Sequence, residues 1–156
     1  TTVYRPRNVY EVVTIEVLTA EIETARKHLA AAIELKGADY VYQSVPSPAD
    51  NCLYLEYARI EHHMDDDGHE VTTYVDPACP SCLIGYVLAA MGVPFEQITR
   101  HEGENALEAA KGVFHSEIVR TALLKAQGKQ DGGDTWGEAV EEFEAYINEH
   151  TVRVDA

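Results

Sequence analysis

The sequence predicts a single α+β domain in which a small antiparallel sheet, built on a hairpin over residues 52–75, packs against four to five helices. Three observations predict it. Two runs rich in β-branched and aromatic residues, Cys52–Glu61 and Val71–Val75, flank a turn with Asp-Gly chemistry. Apolar residues at helical spacing fill most of the remainder. A length of 156 residues suits one core without metals or disulfide staples.

In chain order, residues 8–18 are β-branched, with Val9, Val13, Ile15 and Val17 in alternation, and read as a strand. From Thr19 the period changes: Ile22, Ala25, Leu29, Ala32 and Ile33 fall on one helical face, and Lys36-Gly37 supplies a stop. Pro46 and Pro48 place residues 45–50 in a loop. After the hairpin, Ile84, Val87, Leu88 and Met91 form a helical stripe closed by Gly92 and Pro94. Asn105 is placed to cap a helix running towards Phe114. Ser116 is placed to cap another, carrying Val119, Ala122, Leu123 and Ala126 and ending at Gly128, before a glycine-rich linker at 129–134. The final helix is the clearest element. Thr135 and Glu138 have capping-box spacing, and Trp136, Ala139, Val140, Phe143, Tyr146 and Ile147 share an arc of about 120° opposite a glutamate-rich face.

Charge narrows the function classes. Lysine and arginine total 12 against 27 aspartates and glutamates, a formal net charge of −15, with residues 51–156 carrying most of the excess. Such a field repels phosphate backbones and anionic lipid, which disfavours direct nucleic-acid or membrane binding and suits a basic protein partner. No run approaches the roughly 18 apolar residues of a membrane span, and the first residues lack a secretory apolar stretch, so a cytoplasmic protein is expected. Three cysteines are too few, and odd in number, for a secreted disulfide framework.

Several constellations offer chemistry. Cys79-Pro80-Ser81-Cys82 sits between a strand and a helix, where a helix N-terminus stabilises a thiolate. A thioredoxin-like reading also needs βαβ units, whereas here a hairpin precedes the motif and helices follow. Zinc needs a second half-site, which must be assembled from Cys52 with His62, His63 or His69. Asp65-Asp66-Asp67-Gly68 lacks the register of a calcium loop and reads as an acidic turn. No glycine-rich phosphate loop, nucleophile elbow or metalloprotease helix occurs, and no catalytic set or cofactor is expected. Gly85, three residues after Cys82, leaves a gap for close approach of a neighbouring backbone, and Trp136-Gly137 suggests a second close crossing.

The segment Pro80-Ser81-Cys82-Leu83-Ile84-Gly85-Tyr86-Val87-Leu88, together with Cys52, Tyr54 and Thr135-Trp136-Gly137-Glu138-Ala139, resembles a family of small uncharacterised proteins from actinobacteria and their bacteriophages. The resemblance covers roughly residues 38–147, and Cys79 departs from its pattern. It implies no activity, cofactor or catalytic residue, and points to a phage protein acting in the host cytoplasm. The expected function is therefore non-enzymatic binding of a host protein through the acidic face, with Glu138, Glu141, Glu142 and Glu149 as the partner-binding residues. Two alternatives stand beside it: an acidic mimic of nucleic acid that blocks a DNA- or RNA-binding protein, and a thiol-dependent or zinc-binding protein acting through Cys79 and Cys82.

Overall fold

The computed structural model describes residues 1–8, 10–43 and 52–155; the expected loop at 45–50 lies outside them. The element order is β1 (Thr2–Pro6), α1 (Ile15–Lys36), β2 (Leu55–Met64), β3 (Glu70–Pro80), α2 (Leu83–Ala90), α3 (Phe95–Thr99), α4 (Ala106–Ala109), α5 (Glu117–Asp131), α6 (Trp136–His150) and β4 (Thr151–Asp155). The fold is α+β. Its strands form two separate antiparallel pairs, β1 with β4 and β2 with β3. No helix among the described residues is long and apolar enough to cross a membrane.

The expected strand over 8–18 is not formed, because α1 begins at Ile15. Thr14 caps it by accepting from the Val17 amide, Glu16 lies in its first turn, and Leu18 extends the buried stripe of Ile22, Ala25 and Leu29 back by one turn. Burial of that stripe overrides the β-propensity of Ile15 and Val17, which end up exposed on the helix. The N-terminal strand is instead β1, whose Tyr4 pairs with Arg153 of β4. Tyr4 is buried, its amide donates to the Thr19 hydroxyl (2.9 Å), and its own hydroxyl accepts from Arg26, which also grips Glu144 of α6 through two hydrogen bonds. The β1–β4 pair is thereby tied to α1 and α6.

The hairpin forms as expected and reaches further, with β3 running on to Pro80. Asp65 Oδ1 accepts from the amides of Asp67 and His69, and Gly68 takes the positive φ of 79° that the turn needs. The register shifts between Glu56 and Tyr57, which face Cys79 and Pro77 and leave Ala78 as the extra residue, and Asp76 just beyond takes a φ of 53°. Below the bulge, Tyr54 and Leu55 are fully buried; beyond it, every residue from 61 to 70 is exposed.

Helix α2 lies directly on the backbone leading into β2. A Cβ built on Gly85 would stand 1.9 Å from the carbonyl oxygen of Tyr54, so only glycine permits this crossing. The second expected crossing is also present. Gly137 donates to Ala38 O (2.8 Å) and Trp136 to Tyr40 O (2.9 Å), and the Trp136 ring is met edge-on by Tyr40 and Tyr86.

Two helix limits differ from expectation. The Asn105-capped helix α4 is a single turn, and α5 continues through Gly128 to Asp131. The physical reason for the second lies in two buried amides near its end. Gln127 Oε1 accepts from Ala106 N (2.7 Å) and Gln130 Oε1 from Leu83 N (2.8 Å), so the last turn of α5 holds the starts of α4 and α2 and is itself held. The α6 capping box is formed as expected, with Trp136, Ala139, Phe143 and Ile147 fully buried beneath it.

Candidate binding surface

The polar side chains inside this protein act as terminators of its elements. Glu21, on the inner side of α1, accepts from the amides of His115 and Ser116 at 2.7–2.9 Å. Glu11 accepts from the Ser116 hydroxyl (3.0 Å) and the Ile118 amide (3.1 Å). Ser116 in turn accepts from Val119 N. The amides of 115, 116, 118 and 119 at the start of α5 are thus satisfied by oxygens of the protein itself.

Glu102 does the same for β2. Its carboxylate accepts from Tyr54 N (2.9 Å), Leu55 N (3.3 Å) and the Tyr57 hydroxyl (2.5 Å). Burial raises its pKa above the ordinary carboxylate value, and the three donors offset this only in part. A carboxyl whose pKa is higher folded than unfolded makes the folded state bind its proton more tightly. Its favourable contribution is complete below the unfolded value and is lost as pH rises through the raised folded value. The stability difference between the natural protein and Glu102→Gln, followed by urea denaturation, should therefore shrink as pH rises from about 4 and level off once the pH is above that raised value. A difference that is flat, or that grows with pH, contradicts this reading of Glu102.

The thiols are dispersed in role. All three are free; Cys52 and Cys82 are buried, and Cys79 is half-exposed on β3, where its thiol donates to Glu56 Oε2 (3.1 Å). That bond is the main cause raising the Cys79 pKa. Cys82 stands at the N-cap of α2, yet desolvation, and after it the neighbouring Cys52, push its thiol far up, opposite to the shift a helix N-terminus gives an attacking thiol. The cysteine facing Cys82 is Cys52, whose sulfur also accepts from Gln127 Nε2 (3.4 Å) in a buried cluster with the Tyr54 hydroxyl.

The metal candidates are likewise separated. His62, His63 and His69 are exposed along the ribbon, away from the buried Cys52 and Cys82. Among the described residues, one group of three or more donors lies within mutual ligand distance, namely Asp65, Asp67 and His69 at the ribbon tip. All three are exposed, and one oxygen of Asp65 is already engaged by two turn amides. The set of Cys52, Cys79, Cys82 and a ribbon histidine is not brought together.

The acidic face of α6 is interrupted at one position, the exposed Ala145. At about 100° per residue, Glu138, Glu141, Glu142 and Glu149 fall within an arc of about 100° opposite the buried stripe. Glu138 is exposed but occupied, its Oε1 accepting from the Thr135 amide and hydroxyl. Glu144, off the arc, is neutralised by Arg26 at 2.6 Å. Glu141, Glu142 and Glu149 have no ion pair among the described residues; Glu141 and Glu149 are exposed and Glu142 is half-buried. Sequence periodicity located this arc but missed Glu21, Glu102 and Gln127, whose partners lie 21–95 residues away along the chain. Comparison with protein-family models, with curated proteins and with solved structures finds no match to this chain.

Proposed function

We propose that this is a non-catalytic binding protein that docks on a basic host protein through the acidic arc of α6, in the host cytoplasm to which its resemblance to phage proteins points. The observation that carries this reading is the contrast between its carboxylates. Glu11, Glu21, Glu102 and Glu138 terminate structural elements and Glu144 is paired, whereas Glu141, Glu142 and Glu149 share one side of a rigid helix with no cation against them. A row of like charges that the fold does not neutralise attracts a positive surface and steers such a partner from a distance. The raised pKa values of Cys79 and Cys82 favour this reading over thiol chemistry.

The test is retention of partners from host lysate by the natural protein and by Glu141→Gln/Glu142→Gln/Glu149→Gln. The Debye length falls from about 10 Å at 0.1 M salt to about 3 Å at 1 M, so a genuine partner should be held at low salt, released at high salt and lost to the triple variant. Retention of nothing at low salt, or equal retention by both proteins, rejects the proposal. If the retained protein binds nucleic acid and an oligonucleotide displaces it, the docking takes the narrower form of nucleic-acid mimicry.

A further inference from the structure

Among the described residues, the ribbon consists of β2 and β3 alone. Every residue from 61 to 70 is exposed, and a lone pair of strands in water is marginal at best, so this arm gains from any further pairing. Each strand also carries a row of amides and carbonyls that its one neighbour does not use.

The two edges are not equivalent. β3 carries Pro77, Pro80, the extra residue Ala78 and the left-handed Asp76, features that keep a further strand away. Its charged side chains, Glu70 and Asp76, are both acidic, so two such edges offer each other no opposite charge. β2 is ten residues long, Leu55–Met64, and has neither proline nor glycine. Arg59 and Glu61 stand two residues apart on the same side of it, exposed and ion-paired to each other at 2.6 Å. A cation and an anion placed symmetrically about one residue make a strand complementary to itself when it is run antiparallel. About Ile60, Arg59 of each copy faces Glu61 of the other, Ile60 faces Ile60 and Tyr57 faces His63, with no like charges opposed over residues 56–64. The other register that sets Arg59 against an acid, Glu56, requires Leu55 to pair with Ile60, and Leu55 is fully buried.

We infer that the free edge of β2 is the interface of a symmetric dimer, in which two copies pair antiparallel about Ile60 and join their ribbons into one four-stranded sheet. The two-fold axis makes the Arg59–Glu61 contact occur twice. The inference uses no residue of α6 and does not depend on the docking reading.

The experiment is sedimentation equilibrium of the whole protein over a concentration series reaching about 500 μM, in about 0.15 M salt, where a Debye length of about 8 Å screens the mutual repulsion of two acidic chains. The natural protein should follow a monomer–dimer equilibrium with a dissociation constant of about 100 μM or below. Arg59→Glu and Glu61→Arg each set like charges opposite one another at both symmetric contacts, and each should weaken the dimer by at least about tenfold while leaving the circular dichroism unchanged. Mixing the two variants in equal amounts is the decisive step. In the mixed pair the new glutamate of one faces the new arginine of the other and the retained charges also match, so association should return to within about threefold of the natural protein. A local distortion of either chain cannot produce that recovery. A monomer throughout the series, a dimer that survives both single variants, or a mixture that stays monomeric overturns the inference.

Discussion

Gly85→Ala is expected to destabilise the protein by about 3 kcal/mol or more, a fall in melting temperature of about 10 °C for a domain of this size. The added methyl would sit 1.9 Å from Tyr54 O, 2.7 Å from Tyr54 C and 3.0 Å from its Cα, all backbone atoms that no rotamer change can move. Relief requires α2 to lift off the segment entering β2. That movement strains the Ser81 N to Tyr54 O bond (2.9 Å) and the Cys82 N to Leu53 O bond (3.1 Å), and it disturbs Tyr54, whose hydroxyl is bonded to Glu104 O and Gln127. Gly112 provides the control. Nothing lies within 4 Å of its added Cβ, so Gly112→Ala should shift stability by no more than about 0.5 kcal/mol. Thermal melts of both variants decide the matter; a Gly85→Ala melt indistinguishable from that of Gly112→Ala would show that α2 does not cross so closely.

Glu21→Ala is expected to cost about 2–4 kcal/mol in urea denaturation, the penalty for leaving two amides without an acceptor. His115 N meets both carboxylate oxygens, at 2.9 and 2.8 Å, and Ser116 N meets one at 2.7 Å, in a place where Glu21 itself is only 9% exposed. Water cannot replace these bonds without opening the junction of α1 and α5. Hydrogen exchange gives an independent readout, because the amides of 115 and 116 should lose protection first. Glu21→Gln, which keeps one acceptor oxygen, should fall between the natural protein and Glu21→Ala. Unchanged stability in Glu21→Ala, or amides that stay protected, would remove Glu21 from its role.

Much of this architecture was legible in local pattern. The last helix announced itself through Thr135, Glu138 and the stripe from Trp136 to Ile147; the ribbon through Asp-Gly at 67–68; and the two tight crossings through Gly85 and Gly137. What escaped was non-local. The strands β1 and β4 are short, and neither shows its partner until chain ends about 150 residues apart are brought together. Pattern also misplaced the start of α1. With the helix beginning at Ile15 and not at Thr19, Glu21 stands in the second turn and faces inward. The hidden polar groups share one cause. Periodicity treats a glutamate or glutamine as a solvent-facing residue, and only the orphan amides of another element, far along the chain, draw Glu21, Glu102, Gln127 and Gln130 into the interior.

The same contrast separates the carboxylates that hold the fold from those left on its surface, and the proposed docking depends on that division. The most direct test is the affinity of the natural protein and of Glu141→Gln/Glu142→Gln/Glu149→Gln for the retained basic partner, measured across a salt series. The natural protein should bind with an affinity that falls steeply as salt rises, and the triple variant should bind weakly with a much flatter dependence. Two superimposable salt curves would contradict the account.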